Sequence, residues 1–195
     1  MKAISLRTEY LKNPIGIDIR HPRLLWNCEG GIKQTSYRII AKSDGKTVWD
    51  SGKVVSGSMH ADYPNDLASR QLVEWNVTLW DENDVEGEAS ETAFFETGLL
   101  SASDFAAKWI SGNYCVNKKK RYSVDCFKKQ FNANNIAKAR LYITACGLYE
   151  AKINGKRVGD FVLAPGHTDY TKRIQLQTYD VTELLENGEN VITVE

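Results

Sequence analysis

The side chains best suited to chemistry lie together in one short segment of the second half of the chain. Residues 163–170 (LAPGHTDY) combine turn formers with the His167 imidazole, the Asp169 carboxylate and the Tyr170 ring. This mixture suits hydroxyl-rich ligands, which are recognised by hydrogen bonds and a flat stacking face. The sequence therefore predicts a carbohydrate-binding loop at these three residues. The alternative is a plain connection between strands whose Tyr170 packs on a β-sandwich.

No arrangement in the sequence indicates catalysis. Asp160 and Asp169 are candidates for a hydrolytic pair, since such carboxylates stand about 5–9.5 Å apart, but choosing two of 25 acidic residues carries no weight. The motifs of serine hydrolases, zinc proteases and nucleotide-binding loops do not occur. His21, His60 and His167 share no metal-ligand spacing with one another or with the cysteines. We therefore expect no catalytic residue, no metal site and no cofactor.

Charge and composition exclude other classes of partner. The chain of 195 residues carries 25 Lys+Arg and 25 Asp+Glu, so no excess of one sign favours nucleic acid or a membrane surface. The basic run 118–121, flanked by Tyr114 and Tyr122, is interpreted as a solvated loop. No apolar stretch is long enough to span a bilayer or to form a secretory signal. Four widely spaced cysteines without a C-x-x-C pair indicate reduced thiols, and we expect a cytoplasmic protein.

Alternation with a period of two residues predicts an all-β fold. The clearest strand lies within 71–80, where Val73, Trp75, Val77 and Leu79 share one face. The small, weakly patterned segment 98–107 marks a boundary. We expect a fibronectin type III-like sandwich over 1–98 and a second, jelly-roll-like β-sandwich over 108–195.

Local signals place the elements of the second region. Asn154-Gly155 predicts a type I′ turn between strands at 148–153 and 156–163, because both residues tolerate positive φ. Asp180 is a candidate N-cap for a helical turn at 180–185. The final strand, 190–195, halts within an apolar run. We therefore expect an incomplete second sandwich whose exposed last strand promotes self-association through its edge.

An ordered series of segments resembles the start of bacterial α-L-rhamnosidases of glycoside hydrolase family 78. In the first region the segments are PIGID (14–18), LLW (24–26), QTSYRI (34–39), VWDSGKV (48–54), FETGLL (95–100) and KWI (108–110). In the second region they are GLYE (147–150), INGKRVG (153–159) and LAPGHTDY (163–170). The resemblance covers nearly the whole chain, and its second part is similar to the N-terminal β-domain of these enzymes.

The resemblance implies a much longer enzyme than this chain. Such an enzyme contains a fibronectin-like domain, β-sandwich domains, an (α/α)6 barrel and a C-terminal sandwich. It inverts the anomeric centre while hydrolysing terminal α-L-rhamnosyl groups, with both carboxylates in the barrel. Because this chain holds none of the barrel, no catalytic residue is carried over and we expect the chain alone to be inactive.

Three functions remain open from the sequence. The first is a non-catalytic accessory region of a rhamnosidase, whose partners are the missing catalytic domain of the same polypeptide and rhamnose-containing glycosides. The second is a free-standing carbohydrate-binding module. The third is a fibronectin-type protein-interaction module. We expect the first function, and the second and third are its alternatives.

Overall fold

The computed structural model describes residues 1–115, 117 and 119–195. Within these residues every regular element is a β-strand, apart from single 3₁₀ turns at Ala102–Asp104 and Thr182–Leu184. The predicted all-β class is confirmed. The chain divides into two compact units, Met1–Phe105 and Ala106–Glu195, which are described separately.

The first unit contains nine strands in two sheets. Their bounds are β1 Lys2–Thr8, β2 Ile15–Ile17, β3 Arg23–Glu29, β4 Ser36–Ser43, β5 Lys46–Asp50, β6 Val54–Val55, β7 His60–Asp62, β8 Leu72–Trp80 and β9 Ala93–Thr97. One sheet has the order β1-β3-β7 and the other β2-β9-β8-β4-β5, with β6 also paired to β4. All pairs are antiparallel except β2 with β9.

The two sheets of the first unit enclose one apolar core. The four alternating residues predicted for β8 are all buried, and Trp75 is 1% exposed. They join a cluster with Leu24 and Trp26 of the opposite sheet. Because side chains of a strand alternate between its faces, this shared cluster shows that the two sheets pack face to face as a sandwich.

The segment after β9 is fastened to the first unit. Leu100 N donates to Ser69 Oγ at 2.7 Å, and the Ser69 hydroxyl donates to the Asp104 carboxylate. Arg70 Nη2 donates to the Asp104 carbonyl at 3.1 Å. The first unit therefore extends beyond residue 98 into the segment 98–107, which the sequence marks as the boundary.

The described residues of the second unit form six strands in two smaller sheets. Their bounds are β10 Phe127–Ala133, β11 Arg140–Ile143, β12 Ala151–Ile153, β13 Lys156–Arg157, β14 Gln177–Asp180 and β15 Gly188–Val194. The four-stranded sheet has the order β10-β15-β12-β13, and β11 pairs with β14 alone. Half-buried side chains of both sheets surround the core of Ala151, Ile153, Val158 and Val181.

The Asn-Gly hairpin is confirmed, although its second arm is short. Asn154 has φ 50° and Gly155 has φ 78°, the positive values that a type I′ turn requires. The strand expected over 156–163 ends at Arg157 instead. Gly159 then takes φ 66° against the Tyr179 ring, which leaves no room for a Cβ.

The last strand is not a sheet edge, so this expectation was wrong. β15 pairs along its whole length with β10 and, over residues 192–194, with β12 on its other side. Its partners come from earlier in the chain, which a strand-by-strand interpretation of the sequence does not show. Residues 192–194 therefore present no unpaired edge through which another chain could pair.

The turn that precedes β15 also differs from expectation. Asp180 belongs to β14, and Val181 is the residue that opens the 3₁₀ turn, without a side-chain cap. The Asp180 carboxylate still accepts from Thr182 N at 3.0 Å. A hydrogen bond from a nearby backbone N–H to the Asp180 carboxylate was thus predicted correctly. It lies at the end of a strand, however, and not at the start of a helix.

Candidate carbohydrate-binding site

The segment between β13 and β14 forms a long loop whose base is fixed to the second unit. The Ala164 carbonyl accepts from Tyr149 N at 2.9 Å, and the Leu163 carbonyl accepts from Gly166 N at 3.0 Å. Gln177 Nε2 donates to the Pro165 carbonyl at 3.3 Å. These bonds hold the position from which residues 166–173 project.

Asp169 organises the outer part of the loop through its backbone. Its carbonyl accepts from Lys172 N and Arg173 N, both at 2.9 Å. The Thr168 hydroxyl donates to the Arg173 carbonyl at 2.5 Å. Together these bonds close one tight turn, so Asp169 and Tyr170 are held in a defined backbone conformation.

The Asp169 carboxylate is also used inside the loop. Its Oδ1 accepts from the Thr171 hydroxyl at 2.6 Å and from Thr171 N at 3.1 Å. Lys172 Nζ lies 3.5 Å from Oδ2. The bond from the Thr171 side chain is the main cause that holds the pKa of Asp169 below its usual value. The carboxylate is therefore ionised at neutral pH, with Oδ1 bound by Thr171 and Oδ2 facing the Lys172 ammonium.

His167 and Tyr170 form the aromatic part of the loop. Their ring centroids lie 5.6 Å apart with the planes tilted by 54°. His167 is exposed and Tyr170 is half-buried. A flat ring beside an imidazole and an ionised carboxylate offers a stacking face with hydrogen-bonding groups at its rim.

The structure brings all three predicted residues into one turn and adds partners that sequence reasoning missed. Thr171 and Lys172 bind the Asp169 carboxylate. The spacing Asp-x-Thr is the available signal, because an aspartate side chain commonly bonds the backbone two residues on.

A half-buried tyrosine pair beside the base of the loop was also missed. Tyr149 donates its hydroxyl to Tyr179 Oη at 3.3 Å, and burial is the main cause that raises the pKa of Tyr149 far above its ordinary value. Tyr149 also carries the N–H that binds the base of the loop. The pair therefore packs as a support for the base of the loop.

The other candidates from the sequence are less suitable. Asp160 and Asp169 are both exposed, which does not match the water-excluding pocket that a hydrolytic pair requires. Tyr114 and Tyr122 stack on each other at 4.7 Å with planes 15° apart, so their facing surfaces are occupied. Within the run 118–121, Lys118 lies outside the described residues.

The tryptophans also divide by exposure. Trp26, Trp75 and Trp80 are buried and Trp49 is half-buried. Trp109 is 62% exposed. Core packing therefore accounts for most of the tryptophans.

A groove of about 610 Å³ lies in the first unit. It runs along β1 and the segment before β9, and its charged lining residues are Lys2, Arg7, Lys12, Glu29 and Glu91. It contains no aromatic side chain. Because sugar sites combine polar groups with a stacking face, the loop at 166–173 is the better carbohydrate candidate despite being shallow.

The described residues contain no group of three His, Cys, Asp or Glu side chains placed to hold a metal ion. Among the same residues, no helix has the length and apolar character needed to cross a membrane. The four cysteines are free thiols.

Two protein families match this chain in succession. Residues 3–101 match the family described as Rha78A-like, N-terminal immunoglobulin domain. Residues 134–195 match the alpha-L-rhamnosidase N-terminal domain. The two β-rich units thus correspond, in order, to two N-terminal domains of α-L-rhamnosidases.

Individual proteins similar to this chain are also α-L-rhamnosidases. An alpha-L-rhamnosidase of Formosa agariphila is 39% identical over 96% of this chain. The structure of the alpha-L-rhamnosidase from Dictyoglumus thermophilum matches 100% of the chain with a TM-score of 0.86 and 33% identity. That from Aspergillus terreus matches 99% with a TM-score of 0.84 and 31% identity. The chain belongs to the α-L-rhamnosidase family, as its N-terminal region.

The chain is short compared with these proteins. It spans 22% of the Formosa agariphila protein, 25% of the Dictyoglumus thermophilum chain and 23% of the Aspergillus terreus chain. The activity and partners of such whole enzymes therefore enter only as proposals.

Proposed function

We propose that this chain is a non-catalytic accessory region of an α-L-rhamnosidase, which scaffolds the enzyme and assists recognition of rhamnose-containing glycosides. Family membership supports the enzyme context. The observation that carries the binding role is the turn at 167–170, where an imidazole, an ionised carboxylate and a ring are held together.

The chemistry of the loop suits a sugar hydroxyl pattern. Asp169 Oδ2 accepts from hydroxyl groups, His167 donates or accepts, and Tyr170 covers an apolar sugar face. Several weak, well-placed contacts of this kind are typical of ligand sites that fix orientation without closing over the ligand.

Titration of L-rhamnose and a methyl α-L-rhamnoside into the 195-residue chain, followed by NMR, tests the binding role. Tyr170→Ala should weaken binding about threefold to tenfold, since a stacking contact contributes about 0.5–1.5 kcal/mol. Tyr170→Phe should retain most of the affinity. Tyr10→Ala, at an exposed tyrosine of the first unit, is the matched control.

Two results would contradict the binding role. One is the absence of rhamnose-dependent shifts in residues 166–173 at millimolar sugar. The other is equal loss of affinity in Tyr170→Ala and Tyr10→Ala. The alternative, a free-standing carbohydrate-binding module, would give the same titration result. It differs from the accessory region because it does not need to be linked to an enzyme polypeptide.

The non-catalytic role has its own test. A chromogenic α-L-rhamnoside incubated with the chain should remain at the background rate, because the described carboxylates include no enclosed pair. Turnover that Asp160→Asn or Asp169→Asn abolishes would overturn the proposal.

A further inference from the structure

The open edge of β1 forms one wall of the groove in the first unit. β1 pairs with β3 alone and is the outermost strand of its sheet, and residues 2–7 all line the groove. In an edge strand, every second residue directs its N–H and C=O groups away from the single partner strand. The groove therefore offers main-chain hydrogen-bonding groups as well as side chains.

The segment 87–94 forms the opposite wall through residues 91–93. At one end, a Cβ on Gly87 would lie 1.8 Å from Met1 O, so the two backbones are in contact there. At the other end, Phe94 N donates to Asn13 Oδ1 at 3.0 Å. Between these ends, no backbone hydrogen bond joins residues 2–7 to residues 88–93, all of which the structure describes. The groove is therefore a slot between two chain segments that meet at its ends.

The charges along the slot have both signs and are separated from each other. Arg7 and Lys12 line the end near Asn13, whereas Glu29 pairs with the first residue of β1 and so lines the other end. Glu91 adds a second carboxylate on the opposite wall. Within the described chain, none of these four charged side chains has an ion-pair partner. An occupant that complements the slot therefore carries a negative group at one end and a positive group at the other.

This pattern favours a peptide over a sugar chain or a polyanion. The slot has no aromatic lining residue, so it lacks the stacking face that sugar sites use. A polyanion that reached Arg7 and Lys12 would also meet the carboxylates of Glu29 and Glu91 and be repelled. An extended peptide supplies side chains of both signs and main-chain groups that pair with an open strand edge.

A bulge in β1 limits the length of edge that is available for pairing. The register with β3 shifts between Ile4 and Arg7, and Ser5 has φ 53°. Bulges bend an edge strand and interrupt its pairing, which protects the edge against association with another sheet. The regular edge is therefore restricted to Lys2–Ile4, which suits one short peptide segment better than a second copy of this chain.

We propose that the groove between β1 and residues 91–93 binds an extended peptide segment of another protein. The segment adds to the edge at Lys2–Ile4 as a short strand, and it places an acidic residue at Arg7 and Lys12 and a basic residue at Glu29. This inference is independent of the proposed carbohydrate role, because the groove and the loop at 163–170 share no residue.

Selection from a random dodecapeptide library displayed on phage tests the proposal, with the 195-residue chain as the target. The double variant Arg7→Glu with Lys12→Glu serves for counter-selection. The enriched peptides should carry acidic and basic residues several positions apart, with β-forming residues between them. Failure to enrich any peptide on the unmodified chain over the variant would overturn the proposal.

Fluorescence anisotropy with an enriched, labelled peptide measures the contribution of the cationic end. Arg7→Glu with Lys12→Glu should weaken binding about tenfold, since two exposed charge pairs are lost and replaced by repulsion. The matched control is Arg20→Glu with Lys46→Glu, at two exposed cations of the same unit outside the groove. It changes the net charge equally and should leave the affinity unchanged. Equal losses in the two double variants would contradict binding in the groove.

Strand addition has a test that needs no protein variant. N-methylation of alternate residues in the enriched peptide removes the N–H donors from one of its two edges. Methylation of at least one of the two alternate sets should abolish binding. Amide exchange at residues 2–4 should also slow in the complex. Tolerance of both methylated sets, or unchanged exchange at residues 2–4, would overturn the proposal.

Two further outcomes identify other occupants and also overturn the proposal. A chain that sediments as a dimer without peptide, with slowed amide exchange at residues 2–4, would assign the edge to a second copy. Dextran sulfate that shifts the amide resonances of Arg7 and Lys12, when the library yields no peptide, would assign the groove to a polyanion.

Discussion

The two units bury their apolar side chains to very different degrees. Among the described residues, the core of the first unit comprises 15 buried hydrophobic side chains from both of its sheets. The core of the second comprises four, surrounded by side chains that remain half-exposed. The first unit therefore closes around its own core, whereas the second presents faces that nothing within the described residues covers.

The sheets explain this difference. In the first unit a sheet of three strands faces a larger one, and their apolar faces match. In the described part of the second unit, only the β11-β14 pair accompanies a four-stranded sheet, and two strands are marginal as a layer. Burial is the dominant favourable term in folding, so we expect the first unit to be the more stable.

The largest effect should follow from Trp75→Ala. Truncation of a fully buried aromatic typically costs ~3–5 kcal/mol, and this loss should appear only in the unfolding transition of the first unit. Trp75→Phe should cost much less, because the indole N–H has no hydrogen-bond partner to lose. Urea unfolding followed by NMR of both units checks this, and an unchanged first transition would place Trp75 outside the core.

The second unit should respond most to Asn190→Ala. Asn190 is fully buried; its Oδ1 accepts from Asn154 Nδ2 and Glu186 N, both at 2.8 Å, and its Nδ2 donates to the Glu186 carbonyl at 2.7 Å. Leaving such groups unpaired costs about 1–3 kcal/mol.

The measurement for Asn190→Ala is the free energy of unfolding of the second unit. Asn132→Ala, at an exposed asparagine of β10, is the control. Equal free energies of unfolding for the two variants would show that this network does not hold the hairpin to β15.

Truncated chains can locate the C-terminal boundary of the first unit more closely. Chains ending at 98 and at 105 differ by the hydrogen bonds that Ser69 and Arg70 make with residues 100–104. We expect the shorter chain to be folded but less stable by about 1–3 kcal/mol, since each such bond contributes about 0.5–1.5 kcal/mol. Thermal unfolding followed by circular dichroism compares the two chains. Equal stability would show that the first unit ends at residue 98.

The smallest effect should be the contribution of Asp50 to the stability of the first unit at acid pH. The hydrogen bond from Arg38 is the main cause that lowers the pKa of Asp50 to about 2. A carboxyl whose folded pKa is depressed stabilises the fold above its unfolded pKa of about 3.9 and loses this contribution as pH falls toward 2. Asp50→Asn should flatten the pH dependence of first-unit stability only in that window. The control is Asp44→Asn. If both variants show the same dependence of stability on pH, the Arg38–Asp50 ion pair does not contribute to stability.

Strand positions followed from the sequence where a local pattern was sufficient. The alternation in β8 and the Asn-Gly turn depend on neighbouring residues alone, and both were predicted correctly. The end of β13 at Arg157 was not, because Gly159 turns against the ring of Tyr179, twenty residues away. The candidate loop was found from residue types, but the bonds that engage the Asp169 carboxylate were not predicted.

By itself the sequence determined the all-β class, the core face of β8, the hairpin turn and the family, because each is carried by residue types at short, fixed spacing. Only the tertiary structure decided that β15 lies between β10 and β12 and that Phe161, Val162 and Leu163 are exposed. Strand order and exposure depend on which distant segments meet, and the periodicity of one segment contains no information about its neighbours in space.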